Sequence, residues 1–157
     1  MVLCMNVCLG GTFYPLHKGH KALLKKAFQV AGPTGAVFIG VTSMTMVKMK
    51  GDLVSFKKRK QLIEQFLVEE NLLEQATIQP LFNKFGPTLE GDFDAIVVSP
   101  ETQPITEEIN RRRIHSGKKP LQIIVIPLVL AEDGKPISST RIRRKEIDEN
   151  GMLIGQE

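Results

Sequence analysis

The chain has 157 residues and 42% apolar content, which is enough for one ordinary hydrophobic core and too little for two. Its formal net charge of +4 is modest and is concentrated in a few short basic stretches. That pattern suits small polyanions such as nucleotides better than long nucleic acids. Aromatic residues amount to 6% with no tryptophan, so a base-stacking surface for single-stranded nucleic acid is also disfavoured.

The sequence also argues against a membrane protein and against a disulfide-linked one. No apolar run approaches the roughly 20 residues of a membrane span, and the first residues lack the basic start of a secretory signal. Cys4 and Cys8 lie on one predicted strand, about 13 Å apart along it, which is too far for a disulfide. We expect one soluble, cytoplasmic domain over residues 1–157, with both cysteines buried and reduced.

Apolar stretches rich in valine and isoleucine alternate with helical patterns along the chain. Strands that are continuously apolar and separated by helices indicate a parallel sheet covered on both faces. The sequence therefore predicts an α/β fold with a five-stranded parallel sheet and helices on both faces. The predicted strands are Leu3–Leu9, Gly35–Val41, Thr77–Phe82, Ala95–Val98 and Leu121–Leu130.

Four helices are predicted between and after these strands. An apolar stripe over Leu23–Ala31 marks the first, and a stripe over Leu62–Leu67, with Ser55 as its N-cap, marks the second. The third is expected over Pro104–Ser116, and the fourth from Ser138 through Arg144 to about Asp148. The connections are short except for the loop 83–92, whose GPT and EGD groups are typical of turns.

The junction between the first strand and the first helix reads GGTFYPLHKGH, residues 10–20. Glycines there let the backbone approach a ligand closely, and free N–H groups at a helix start attract anions. His17 and His20 are spaced to share one face, so we expect imidazole and backbone donors to converge on one anion. The spacing differs from that of an HExxH zinc site and no acidic or cysteine ligand is near, so no metal held by the protein is expected.

A second motif, ISSTRIR at residues 137–143, places three hydroxyl residues at a helix start and two arginines after them. Such a segment can bind phosphate oxygens through hydroxyls, free N–H groups and an arginine fork, although it is equally an ordinary capping sequence. The carboxyl ends of parallel strands meet at one edge, where ligands of such sheets bind. The two motifs, the loop VTSMTMVKMK and the loop SPET all follow strands, so they are expected at that edge.

Together the two motifs resemble the HxGH nucleotidyltransferase superfamily: GTFYPLHKGH is similar to its first signature and ISSTRIR to its second. The stretches FNKFGPT, DAIVVSPET and EEINRRR resemble the archaeal and eukaryotic type of phosphopantetheine adenylyltransferase, the penultimate enzyme of coenzyme A synthesis. The resemblance covers nearly the whole chain. It implies a Rossmann-like domain that transfers AMP from ATP to 4'-phosphopantetheine, giving dephospho-coenzyme A and pyrophosphate.

The resemblance also implies roles for individual residues. His17 and His20 would contact the ATP phosphates, Thr12 would position the acceptor phosphate, and Lys48, with Lys50 as its competitor, would bridge the reacting groups. The implied catalytic residues are Thr12, His17, His20 and Lys48; the nucleotide-binding residues are Gly10, Gly11, Thr12, Phe13, His17, His20, Ser138, Ser139, Thr140 and Arg143; the acceptor-binding residues are Thr12, Lys48 and Arg113. Mg²⁺ would arrive with ATP, and the expected partners are the two small-molecule substrates, without nucleic acid or membrane.

The chain departs from the family at Tyr14, where relatives usually carry Asp, so the role of that carboxylate does not carry over. Other basic residues are expected on solvated helix faces. These are the run 111–113, from which Arg113 is preferred as a ligand contact by resemblance, and the run 57–60, in which Arg59 matches an arginine of relatives. His115 is expected to be a surface residue.

Alternative functions remain open from the sequence. The nearest is a nucleotidyltransferase with another acceptor, such as nicotinamide mononucleotide, FMN or glycerol 3-phosphate. A non-catalytic nucleotide sensor would be expected to have lost a histidine of the first motif or Lys48, and this chain retains all of them. A small nucleic-acid-binding protein that uses the basic loops would lose its affinity steeply with salt.

Overall fold

The computed structural model describes residues 4–43 and 54–155. Lys48 and Lys50 therefore lie outside the described residues. The sheet has the strand order β3-β2-β1-β4-β5, and every neighbouring pair is parallel. The strands are β1 Asn6–Gly11, β2 Ala36–Thr42, β3 Ala76–Leu81, β4 Ala95–Val98 and β5 Gln122–Val125. This architecture confirms the predicted α/β, Rossmann-like fold class.

The longer helices are α1 Lys18–Ala31, α2 Phe56–Glu69 and α3 Gln103–His115, and a short helix α4 spans Ser139–Arg143. They cover both faces of the sheet. Neighbouring strand residues point to opposite sides, so each face presents apolar side chains that pack against helices. Val7 and Leu9 of β1 pack in the core beneath α1 and α2, whereas Cys8 packs in the core beneath α3. No helix within the described ranges is long and apolar enough to span a membrane.

The order of the strands reverses at β1. From β1 the chain adds β2 and β3 on one side, and it then returns to add β4 and β5 on the other. In sheets of this kind a crevice opens beyond the carboxyl ends of the two strands at the reversal, here β1 and β4. The loops that follow these strands carry the first motif and the SPET segment, so the fold directs both into that crevice.

Four of the five strand predictions were inaccurate at the ends, by one residue for β2 and β3 and by up to three residues for β1 and five for β5. The first strand starts at Asn6 and continues through Gly11, because Gly10 and Gly11 pair in register with Gly40 and Val41 of β2. Cys4 therefore precedes the strand and is exposed, with its Sγ 2.6 Å from the Thr34 hydroxyl, so the prediction that it is buried was wrong. Both cysteines are free thiols.

The fifth strand was predicted to reach Leu130, but it ends at Val125, which pairs with the last residue of β4. The N–H of Ile126 still donates to the Val98 carbonyl at 2.9 Å. Pro127 follows and has no N–H to continue the ladder. The residues beyond it leave the sheet and form one wall of the crevice.

The fourth helix was predicted to continue to about Asp148, but it is five residues long. Lys145 has a left-handed backbone with φ of 61°, and the N–H of Glu146 donates back to the Arg141 carbonyl at 3.0 Å. These are the features of a Schellman helix end. The chain then folds back through a bridge between Ile147 and Leu153, and Ile147 is buried in a small cluster of the C-terminal segment.

Candidate active site

The start of α1 is organised by its own histidines. His17 is the N-cap, and its Nδ1 accepts the N–H groups of Gly19 at 3.0 Å and His20 at 3.3 Å. In return the His17 N–H donates to Nδ1 of His20 at 3.3 Å, and the two rings stack with centroids 3.7 Å apart. A side chain at position 19 would have its Cβ 2.8 Å from Cε1 of His17, so the glycine is required by this close approach.

Both imidazoles are neutral at physiological pH. Burial lowers the pKa of His17 to about 4, and burial together with the neighbouring His17 lowers the pKa of His20 to about 3, with only partial compensation from the Pro15 backbone. Since Nδ1 of each ring accepts a backbone N–H, the remaining proton is assigned to Nε2. Each ring can therefore donate one hydrogen bond through Nε2.

The expected use of backbone donors at this helix start was wrong. The N–H groups of Gly19 and His20 are bonded to His17, and the Lys18 N–H donates to the Glu149 carbonyl at 2.9 Å. These groups are therefore not free to bind an anion. An anion at this point would meet the imidazole Nε2–H groups instead.

A polar cleft opens at the carboxyl ends of β1 and β4. It consists of two adjoining cavities of about 370 and 330 Å³, which share five lining residues. The shared residues are His20, Leu23, Ser99, Glu101 and Ser139. The cleft brings together all the residues that were predicted to bind the nucleotide: Gly10, Gly11, Thr12, Phe13, His17, His20, Ser138, Ser139, Thr140 and Arg143. Their contacts with a nucleotide stay a prediction.

Helix α4 forms one side of this cleft. Ser138 is its N-cap, and the Ser138 hydroxyl accepts the Arg141 N–H at 3.2 Å. The two arginines of the helix differ in their partners. Arg141 is held by the carboxylates of Asp133 and Glu146, whereas Arg143, within the described residues, bonds only to the Thr140 hydroxyl at 3.4 Å. Arg143 therefore has a charge available to a ligand.

An apolar cavity of about 220 Å³ lies beside the polar cleft, between the sheet, the loop after β3 and helix α3. Its apolar lining includes Leu81, Phe85, Ile105 and Ile109. Cys8 also lines it, and burial raises the pKa of its thiol to about 12, so the thiol is uncharged. The apolar cavity and the polar cleft meet at four shared residues: Gly10, Gly11, Val98 and Thr102.

Thr12 directly follows Gly11 of this meeting point, lines the polar cleft and is held by two hydrogen bonds. The Thr42 hydroxyl donates to the Thr12 hydroxyl at 3.1 Å, and Nη1 of Arg59 donates to the Thr12 carbonyl at 3.2 Å. Arg59 itself is completely buried. The expectation that it belongs to a solvated helix face was therefore wrong, although its neighbours Lys57 and Lys58 are exposed as expected.

Arg113, the predicted acceptor contact on α3, is not brought to the cleft. It is 4% exposed, and its guanidinium donates to the carbonyls of Thr88, Gly91 and Lys119 at 2.8 to 2.9 Å. These bonds tie the helix to the loops before and after it. The guanidinium that was predicted to contact the acceptor therefore binds backbone carbonyls instead. Its neighbours Arg111 and Arg112, and His115, are exposed as expected.

Sequence reasoning placed the SPET segment at the cleft but did not single out a residue in it. The structure does so: Ser99 and Glu101 line both cavities of the polar cleft. The sequence did contain a signal for Glu101, since this carboxylate follows the buried strand β4 by only three residues. Among the described residues no group of three or more His, Cys, Asp or Glu side chains could hold a metal ion.

The sequence of the chain matches a known protein family and curated relatives. A model of the cytidylyltransferase-like family matches residues 8–145. A phosphopantetheine adenylyltransferase of Methanosarcina mazei is 45% identical over 149 residues, which cover 94% of this chain and 96% of that protein. The enzyme of that name from Archaeoglobus fulgidus is 40% identical over 151 residues, which cover 96% of this chain and 100% of that protein.

Solved structures agree with the fold. A crystal structure of an Archaeoglobus fulgidus protein of unknown function is 35% identical, covers 78% of this chain and 89% of that chain, and superposes with a TM-score of 0.70. A bifunctional NMN adenylyltransferase/ADP ribose pyrophosphatase from Francisella tularensis has a TM-score of 0.62 over 91% of this chain and 42% of that chain. Its identity is 20%, so it shows the fold alone.

Proposed function

Because the chain belongs to the cytidylyltransferase-like family, and within it to the phosphopantetheine adenylyltransferases, we propose that it transfers AMP from ATP to 4'-phosphopantetheine. The products are dephospho-coenzyme A and pyrophosphate. The relatives that carry this name match the chain over nearly its whole length, and the polar cleft contains both signature motifs.

The observation that carries the proposal is the junction between the polar cleft and the apolar cavity. A nucleotide with its phosphates suits a polar cleft that offers imidazole, hydroxyl and arginine donors. The pantetheine arm suits the apolar cavity, where Leu81, Phe85 and Ile109 offer apolar contact. With both occupied, the acceptor phosphate and the α-phosphate of ATP would meet near Thr12.

The chemistry needs positioning and charge neutralisation more than proton transfer. The acceptor phosphate has a second pKa of about 6 and is already a dianion near neutral pH, so no general base is required. Its oxygen attacks the α-phosphorus in line, and the bond to the leaving pyrophosphate breaks. The Nε2–H groups of His17 and His20 would donate to the phosphate oxygens as the charge on them moves.

The departing pyrophosphate would be bound at α4, through the hydroxyls of Ser138, Ser139 and Thr140 and the guanidinium of Arg143. Mg²⁺ would come with ATP, held mainly by phosphate oxygens and water, and would neutralise charge on them. Lys48, or its competitor Lys50, would bridge the reacting phosphates. The bonds of Arg113 to backbone carbonyls favour a supporting role for it over an acceptor contact.

An acceptor panel tests the function. With ATP and Mg²⁺, 4'-phosphopantetheine should release pyrophosphate with a far higher kcat/KM than nicotinamide mononucleotide, FMN or glycerol 3-phosphate. A higher value for another acceptor would keep the enzyme class and replace the substrate. Release of pyrophosphate with none of them, together with intact ATP binding, would favour a nucleotide sensor.

A further inference from the structure

Arg59 of helix α2 is a buried cation without an acidic partner in the described part of the chain. The residue is 0% exposed. Its Nε donates to the Val54 carbonyl at 3.1 Å, and its Nη1 donates to the Thr12 carbonyl and to the Thr42 hydroxyl, both at 3.2 Å. Its Nη2 is buried and has no hydrogen-bond partner among the residues at 4–43 and 54–155.

With these partners alone, such a group is energetically unfavourable. Burial lowers the pKa of Arg59, yet a guanidinium keeps its proton at any physiological pH. A buried charge that lacks an opposite charge is costly, and an orphaned buried N–H adds to that cost. Because the partners of Arg59 among the described residues are neutral and do not balance its charge, an anion that binds nearby would be stabilised by it.

The hydrogen bonds of Arg59 give this charge a direction. A guanidinium can only donate, so the Thr42 oxygen accepts from it, and the Thr42 hydroxyl hydrogen is directed to the Thr12 oxygen. The Thr12 oxygen is thus occupied as an acceptor, and its own hydrogen is left to donate outward. Since Thr12 lines the polar cleft, Arg59, Thr42 and Thr12 form a chain of donors that ends at the cleft. Chains of this kind strengthen their last donor.

The position of Thr42 distinguishes between the two substrates. Thr42 lines the apolar cavity and neither cavity of the polar cleft. An anion in the polar cleft, where it meets the apolar cavity, would therefore lie nearest to both Thr12 and Thr42. In the reaction proposed above, the phosphate of 4'-phosphopantetheine is the group that would occupy that place.

We propose that Arg59 is a positioning residue for the acceptor phosphate. It acts through Thr42 and Thr12, fixes the direction of the Thr12 hydroxyl and supplies a buried positive charge behind it. The proposal rests on the proposed function, since it takes the acceptor to be 4'-phosphopantetheine. It assigns to Arg59 a preference for the phosphate group and no contribution to binding of the pantetheine arm.

The test compares two ligands that differ only in that phosphate. Calorimetry gives the Kd of 4'-phosphopantetheine and of pantetheine for the wild type, for Arg59→Met and for Arg59→Lys. The Kd of pantetheine divided by the Kd of 4'-phosphopantetheine measures the phosphate preference. Arg59→Met should reduce the ratio by about tenfold, as expected for a lost charge at partly screened distance, while the Kd of pantetheine changes by less than about twofold. Arg59→Lys, which keeps the charge, should retain most of the preference.

Other outcomes overturn the proposal. Equal weakening of both ligands would show that Arg59 only supports the structure, and an unchanged ratio would show that its charge is not felt by the acceptor. A larger loss of ATP affinity than of acceptor affinity would assign the residue to the nucleotide. A wild type that binds pantetheine but shows no preference for the phosphate would reject the inference alone. A wild type that binds neither ligand and is inactive with 4'-phosphopantetheine would reject the proposed function, and the inference with it.

A second pair of variants decides the question if Arg59→Met does not fold. Thr42→Val removes the middle hydroxyl and leaves Arg59 in place, whereas Thr42→Ser restores the hydroxyl. Thr42→Val should lower the phosphate preference by about threefold or more, the effect of one lost hydrogen bond, and Thr42→Ser should keep it. An unchanged preference in Thr42→Val would overturn the chain of donors.

Discussion

Two helix starts line the polar cleft, and they are built differently. Helix α1 has 14 residues, buries Leu24, Ala27, Phe28 and Ala31, and has its first N–H groups bonded to His17 and Glu149. Helix α4 has five residues, none of them buried, and the N–H groups of Ser139 and Thr140 have no acceptor among the described residues. The start of α1 is capped by its own uncharged histidines, whereas α4 is short and half-buried and has two arginines in its last turn.

The difference indicates a division of labour in the proposed reaction. Donors held rigidly by the fold need no reorganisation when charge moves, so they can be stronger in the transition state than in the ground state. Donors on a short helix that buries no residue are less fixed, and they suit binding of the pyrophosphate portion in substrate and product alike. We therefore expect α1 to influence mainly kcat and α4 to influence mainly nucleotide affinity.

The largest expected effect is on the α1 side. His20→Ala should fold, bind ATP with near wild-type affinity and lose kcat by about 10²-fold or more, because one preorganised donor is removed. His20→Gln, whose amide can donate from a similar place, should recover part of the rate. Steady-state kinetics and calorimetry measure the two quantities, with the exposed Gln29→Ala on the same helix as a control.

A loss of ATP affinity in place of kcat would contradict the contrast drawn between α1 and α4. If His20→Ala keeps its kcat while the KM for ATP rises, the histidine contributes uniform binding, and α1 does not differ from α4 in the way proposed.

The next effect is on the α4 side. Arg143→Ala should weaken ATP binding by about 1–3 kcal/mol, the scale of a lost charge-assisted contact, and leave the free energy of unfolding nearly unchanged. Arg141→Ala is the matched control, because its guanidinium is held by Asp133 and Glu146. It should lower stability more than ATP affinity. Unchanged ATP affinity in Arg143→Ala would remove α4 from the phosphate site.

A third prediction concerns pH and the neutral histidines of α1. Their folded-state pKa values, about 4 for His17 and about 3 for His20, lie below the ordinary value of 6.5, so the unfolded chain binds protons first as pH falls. Stability is then complete above pH 6.5 and is lost between pH 6.5 and about 3 to 4, by at most about 1.4 kcal/mol per pH unit for each histidine.

Urea unfolding at a series of pH values between 8 and about 5 measures this loss. His17→Asn should show a shallower dependence than the wild type, because one of the two groups is removed. Equal slopes in the two proteins would show that other groups cause the acid sensitivity.

The sequence predicted what depends on local pattern and missed what depends on distant partners. Continuous apolar runs located every strand, and the motifs located the cleft, because strand burial and loop position follow from periodicity and topology. Arg59 and Arg113 look like surface residues in their helices. Each is buried because carbonyls of distant loops accept its N–H groups, and nothing near it in the sequence records those loops.

The helix starts show the same limit. Free N–H groups were expected at His17, where the histidine is instead the N-cap that consumes them. The pattern that places a histidine before a helix does not reveal which ring nitrogen faces inward. That choice follows from the close contact with Gly19 and the stacking on His20.

The smallest expected effect tests whether the cap and the donor at His17 are separable. His17→Ala should lower the free energy of unfolding by about 1 kcal/mol, the usual cost of a lost N-cap, whereas Ser138→Ala should cost less because α4 buries no residue. His17→Asn places an accepting oxygen near the position of Nδ1 and should restore most of the lost stability. It has no group at Nε2, so its kcat should stay below that of the wild type although its fold is repaired. Recovery of both stability and kcat in His17→Asn would show that His17 serves the helix start alone, and His20 would then be the only imidazole of the pair that contacts the reacting phosphates.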